Sequence, residues 1–145
     1  MADTVEMTGT CRSFNKDIYN RLPEVMERIA KQTAEALKCT AEVTFSRLTS
    51  PLINDDRAFE IMKGAEAKVI PAEMQLKGSP STGGEDFAEY MKIVPGVFVK
   101  LAAGGEYPMH NAMVCFDERS FENGICLEVQ FALDALERLK NDGNE

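Results

Sequence analysis

The sequence predicts an α/β chain, and two patterns carry that expectation. Some segments alternate apolar with polar residues, as a strand with one buried face does, while longer ones repeat apolar residues every three or four positions, as an amphipathic helix does. Over residues 4–46 they follow one another as strand, helix, strand. A length of 145 residues, 44% hydrophobic and 28% charged, suits a folded chain near the ~100–150 residues of one ordinary domain, enough for one core or two small ones.

Thr4 to Arg12 places Val5, Met7, Gly9 and Cys11 on one face and Thr4, Glu6, Thr8, Thr10 and Arg12 on the other, the pattern of a half-buried strand. Asn15 then offers an N-cap to a helix whose Ile18, Leu22, Val25, Met26, Ile29, Thr33 and Leu37 share a face. Pro23 conflicts with an unbroken helix, because an interior proline removes a hydrogen bond, so either a kink or a start near Asn20 is expected. Residues 42–46 alternate again, with Ala41, Val43 and Phe45 on one side. The turn-rich stretch Thr49 to Asp56 marks a boundary.

A second helix follows with Ala58, Phe59, Met62, Ala65 and Val69 inward, stopped by Pro71, and Glu73 to Leu76 reads as a short strand. The loop Gly78 to Gly84 opens a short helix, Glu85 to Met91, with Phe87, Tyr90 and Met91 inward. Val97 to Ala102 is apolar enough for a strand covered on both faces. After a loop carrying Tyr107 to Asn111, Asp117 caps a last helix whose Phe121, Ile125, Cys126, Val129, Ala132, Leu133, Leu136 and Leu139 form a wide apolar stripe.

Charge and composition narrow the function. Sixteen Lys and Arg against 24 Asp and Glu give a net charge of −8, which repels nucleic acid. No apolar run approaches the ~20 residues of a membrane-spanning helix, and the N-terminus lacks the basic and apolar regions of a signal peptide. Cys11, Cys39, Cys115 and Cys126 sit among apolar neighbours without close spacing, as buried thiols of a reducing cytoplasm do, so neither a disulfide framework nor a zinc finger is expected.

With one histidine, His110, a Ser-His-Asp or Cys-His site has a single possible centre, and the chain has no G-x-S-x-G elbow. A loop imidazole can face a cleft, although without companion ligands a surface histidine is the plainer reading. Gly83 and Gly84 before a helix can hold an anion on backbone N–H groups. Because Glu85 and Asp86 follow, a single carboxylate or a metal suits that loop better than a phosphate. Arg12 could grip a carboxylate with a bidentate fork, although arginine at a strand end is usually just solvated.

Taken together and in order, DTVEMTGTCRSFN, SPLINDD, GGEDFAEYMKIVPGVFVKLAAG and PMHN resemble the C-terminal part of the aminoacylase and carboxypeptidase family of metallohydrolases (M20-like). The branch most similar is that of hippurate hydrolase and the N-acyl-L-amino-acid amidohydrolases. The resemblance implies an α/β architecture in which residues 1–53 form the second half of a ferredoxin-like lid or dimerisation domain and residues 54–145 the C-terminal portion of a zinc-peptidase-like catalytic domain. It implies hydrolysis of the amide bond of N-acyl amino acids with two divalent metal ions, zinc or manganese, in complete members. His110 corresponds to a metal ligand, Gly83 and Gly84 to an active-site loop, and Arg12 to a lid residue facing substrate. No catalytic residue is assigned, since the general base belongs to the upstream part of the family. This chain alone is therefore expected to bind no metal, or one weakly, and to be inactive without that part. The partners implied are a small N-acyl amino acid and either a second copy or a separately encoded N-terminal half, with no nucleic acid and no membrane, in the cytoplasm. The competing readings are a non-catalytic dimerising or binding module, and an unrelated small α/β domain in which His110 is structural.

Overall fold

Asn15 caps the first helix as its side chain suggests: its Oδ1 accepts from the N–H groups of Asp17 (2.8 Å) and Ile18 (3.0 Å), satisfying donors that no earlier turn can reach. The computed structural model describes residues 3–142. Helix α1 spans Lys16–Ala36, α2 Asp56–Val69, α3 Phe87–Tyr90 and α4 Arg119–Asp142, with a single 3-10 turn at Ala72–Met74. They fall into two compact units. One comprises the chain through Ile53 together with Ser81–Ile93, the other Asn54–Pro80 and the chain from Val94 onward. Residues 1–2 and 143–145, the outer ends of the two expected domains, lie outside the described residues.

In the first unit, α1 runs through Pro23 without a break and starts at Lys16, not near Asn20. The proline leaves the Tyr19 carbonyl without its usual donor. Arg47 braces this turn from outside, donating to the neighbouring Asn20 carbonyl (2.9 Å) and side chain (3.2 Å) while its guanidinium lies 5.3 Å from the centre of the Tyr19 ring, a cation–π contact. Helix α3 is a single turn in which Ala88 is buried, whereas Tyr90, expected inward, is exposed. The Glu89 carboxylate accepts from the Ser50 N–H at 3.1 Å and pairs with Lys92. These two donors, Lys92 first, hold its pKa below the usual value.

In the second unit, Asp55 caps α2 by accepting from the Ala58 N–H at 2.9 Å. The buried positions Ala58, Met62 and Ala65 recur at helical spacing, and α2 packs along α4. Lys68 on α2 bonds Asp134 on α4 at 2.6 Å, and Arg57 pairs with Asp142. Lys68 and then Gln130 lower the Asp134 pKa by hydrogen bonding to its ionised form.

The α/β expectation needs correction, because the regular elements among the described residues are helical. Segments 4–12, 42–46 and 97–102 join no strand ladder. A strand is held by backbone bonds to a neighbouring strand, and alternation of side chains cannot supply that neighbour. Around 42–46 the expected faces are present, with Ala41, Val43 and Phe45 half-buried and Glu42, Thr44 and Ser46 exposed. At 4–12 even the apolar face is open, with Met7 90% exposed. At Phe98 a side chain substitutes for a strand: the Asn54 amide accepts from its N–H (2.8 Å) and donates to its carbonyl (3.1 Å). The short strand expected at 73–76 is replaced by the 3-10 turn after Pro71, where the Met74 N–H reaches the Pro71 carbonyl at 2.8 Å. The four cysteines, expected buried, are all exposed and free.

With Ala65 fully buried on α2, there is no room for a larger side chain. Ala65→Leu is expected to lower stability by about 1–3 kcal/mol, read as a lower thermal midpoint in circular dichroism.

Candidate functional site

Two loops carry the residues singled out by sequence, one in each unit. In the first unit, the glycine loop and the segment ending at Arg12 come together. A Cβ placed on Gly84 would stand 2.7 Å from Arg12 Nη1 and 3.3 Å from Thr49 Oγ1, closer than side-chain atoms pack. The absence of a side chain at Gly84 is what lets the guanidinium lie against the loop backbone. Arg12 itself is exposed, so its fork faces water with N–H donors to spare for a carboxylate. In the sequence Thr49 is one more polar residue of a turn cluster, and nothing local links it to residue 84.

Gly83 lies in a tight turn in which its N–H donates to Ser81 Oγ at 3.2 Å. The helix that follows is too short to supply the aligned peptide dipoles that an anion cradle draws on. The Glu85 carboxylate turns back to accept from the Phe87 N–H at 3.3 Å. What the loop offers is therefore space for Arg12, more than a helix terminus.

In the second unit, residues 104–116 form a loop closed at its neck. The Asp117 N–H donates to the Ala103 carbonyl at 2.7 Å. Just inside, Gly105 approaches the other leg so closely that a Cβ would meet the Cys115 carbonyl oxygen at 2.4 Å, and its φ of +101° is one that L side chains rarely adopt. At the far end His110 is exposed and left-handed, with φ +69°, a conformation uncommon outside glycine although histidine tolerates it better than most. Asn111 steadies this bend: its N–H donates to the Pro108 carbonyl (3.2 Å), its carbonyl accepts from Val114 N–H (3.0 Å) and its Oδ1 from Met113 N–H (2.8 Å). Gly105, Tyr107, Met113 and Phe116 help line a shallow concavity of about 370 Å³ beside the loop.

The loop is anchored where it enters α4. Asp117 accepts from the Arg119 N–H at 3.1 Å and grips its guanidinium from both carboxylate oxygens, at 2.6 to 3.1 Å. These bonds, the side-chain ones first, bring its pKa from 3.8 to about 2.

Whether these residues fit a divalent metal is decided by donor chemistry. Such an ion needs several His, Cys, Asp or Glu ligands converging on one point, and among the described residues no group of three or more does so. His110 offers a single imidazole, and this donor set does not form a metal centre by itself.

Comparison with known proteins places these loops in context. The description "Peptidase family M20/M25/M40" matches residues 3–134. The chain belongs to this family. Its members are hydrolases that are generally metal-dependent. The chain is 28% identical over 144 residues to N-acetyl-L-cysteine deacetylase of Bacillus subtilis (strain 168), covering 99% of this chain and 33% of that protein. It is 30% identical over 138 residues to N-acetylcysteine deacetylase of the same organism, covering 95% and 36%. Thermostable carboxypeptidase 2 of Saccharolobus solfataricus (strain ATCC 35092 / DSM 1617 / JCM 11322 / P2) is 27% identical over 138 residues, covering 90% and 34%. The chain thus spans about a third of the length of these M20 relatives. No solved structure gives a significant match. No helix among the described residues is long and apolar enough to cross a membrane.

Two outcomes are expected. Since the folded pKa of Asp117 lies below its unfolded value, its contribution to stability is complete above about pH 4 and lost as pH falls toward about 2. Asp117→Asn should flatten the pH dependence of thermal unfolding in that window. Gly105→Ala should cost at least ~1 kcal/mol, because it combines a backbone clash with a left-handed φ. The lone imidazole resonance in the NMR spectrum should then move while the helical signal persists.

Proposed function

We propose that this chain is the C-terminal part of a metal-dependent amidohydrolase acting on N-acyl amino acids. The family match over residues 3–134 carries the reading. Deacetylase names among its relatives direct it toward acylated amino acids, with hippurate-like substrates included by the sequence motifs. In this reading residues 1–53 are the second half of a lid that also mediates pairing of subunits, and residues 54–145 belong to the catalytic domain. The protein works in the cytoplasm.

Arg12 binds the free carboxylate of the amino acid through a charge-assisted fork, and Gly84 keeps the space in which that guanidinium sits. Gly83 shapes the loop beside it. His110 serves as one donor to zinc or manganese. The other donors and the general base come from the two thirds of the relatives' length that this chain does not span. The 145 residues alone then bind metal weakly or not at all and do not turn over substrate. The single imidazole donor favours one alternative, a non-catalytic binding module that keeps the fold without the reaction.

The test uses a chimaera in which this chain replaces the matching third of the B. subtilis N-acetylcysteine deacetylase, loaded with zinc or manganese. Hydrolysis of N-acetylcysteine and N-benzoylglycine is expected from the chimaera and not from the free chain. Arg12→Ala should raise KM for these acids about tenfold or more, the worth of a lost charged hydrogen bond, and hardly affect the matching N-acyl amino acid amides. His110→Ala should lower metal affinity and turnover at least ~10-fold. A metal-free, inactive chimaera would favour the binding module.

A further inference from the structure

Two side-chain donors, the guanidinium of Arg12 and the hydroxyl of Thr49, converge on one point beside Gly84. A Cβ on Gly84 would stand 2.7 Å from Arg12 Nη1, 3.3 Å from Thr49 Oγ1 and 3.7 Å from Arg12 Cζ, so Nη1 is the leading atom of the guanidinium. Donors at these distances from one point stand no farther apart than the two lengths laid end to end. An oxygen that accepts from both, at ~2.7–3.0 Å each, bridges about that span. Among the described residues neither side chain makes a hydrogen bond or an ion pair. All three residues belong to the first unit. The next N–H in the chain after Thr49, that of Ser50, donates to Glu89 on α3 at 3.1 Å, which ties the Thr49 backbone to the segment following the glycine loop. The carboxylates of that segment leave Arg12 unpaired: Glu89 takes Ser50 and Lys92, Glu85 takes the Phe87 N–H, and Asp86 is exposed. Gly84 and Arg12 are exposed as well, so a ligand in water reaches the point.

We infer that Thr49 is a specificity-determining residue whose hydroxyl binds the free carboxylate of the substrate together with Arg12. This rests on the role proposed for Arg12 above and adds a second donor to it. A carboxylate offers about four lone-pair positions. The arginine fork occupies two of them, and the hydroxyl takes a third from the side of the Gly84 loop. An amide in the same place presents one acceptor oxygen, and its NH2 group meets N–H donors, so the paired donors select the acid.

The full chain carries all of these groups, so binding is read without turnover. N-acetylglycine and N-acetylglycinamide are titrated at constant ionic strength while the amide resonances of Thr49, Ser50 and Gly84 are followed by NMR. Saturable shifts are expected with the acid and none with the neutral amide. Thr49→Val, which keeps the shape and removes the hydroxyl, should weaken binding of the acid at least ~5-fold, the worth of a hydrogen bond to a charged group. Thr49→Ser should restore the affinity, and Arg12→Gln should abolish it. Circular dichroism checks that each variant keeps its helices. Equal affinity in wild type and Thr49→Val overturns the inference, and so does the absence of any shift with the acid. A Thr49→Ser variant as weak as Thr49→Val also overturns it, since the hydroxyl is then not what binds. The functional reading fails separately: an inactive, metal-loaded chimaera removes amide hydrolysis and leaves carboxylate binding by this chain standing, whereas an active chimaera whose KM ignores Thr49→Val removes Thr49 alone.

Discussion

The contact between α2 and α4 holds the second unit together, and it is made of small residues and a few charges more than of a large core. Ala58, Met62 and Ala65 are the buried residues of α2, Ala65 completely so. Alanines bring helix axes close but bury little area each, and Lys68 and Asp134 also meet between the two helices. That ion pair is partly exposed, and such pairs contribute modestly. Its more useful effect is to set the rotation of α4: with Asp134 turned toward α2, Phe121 and Leu133 necessarily face away. The same rotation fixes the start of α4, where Asp117 and Arg119 lock together and close the neck of the loop that displays His110.

In the first unit the comparable constraint is the space at Gly84. Arg12 comes from a segment without regular structure, and Thr49 from a turn far along the chain, yet both approach the point where a side chain on residue 84 would lie. Arg47 plays a separate, structural part by tying its own segment to the turn of α1 that Pro23 weakens.

Helix positions were legible in the sequence because their signals are local. Asn15 announced α1, the turn-rich stretch to Asp56 preceded α2, and Pro71 marked the end of α2. Strand pairing was not legible, since alternation at 42–46 describes faces and is silent about which backbone lies alongside. Asn54 in the place of a partner to Phe98 shows how a single side chain can satisfy a segment that reads as a strand. For the candidate site, the residue types were readable and their neighbours were not: Arg12 and Gly84 stood out separately, and their meeting depends on the tertiary path. The role of Gly105 was not legible at all, because its close approach to Cys115 involves a residue on the other leg of the loop.

The stripe on α4 was read correctly as apolar, and its direction could not be. Periodicity identifies a face and leaves open what that face meets. The helix meets its own unit through Leu127, Phe131 and Ala135, while Phe121, Ile125 and Leu133 turn outward among exposed charges such as Glu122, Glu128 and Glu137. Its stability comes from packing along α2, since packing, not intrinsic propensity, supplies most helix stability in proteins. On its inner face Asp134 accepts from Lys68 and from the Gln130 side chain, both within the unit. The outer face carries Glu122 between Val129 and Leu133, exposed to water. The inner face can thus be covered because its aspartate is paired, while the outer face keeps its carboxylate in water, where it carries no desolvation cost.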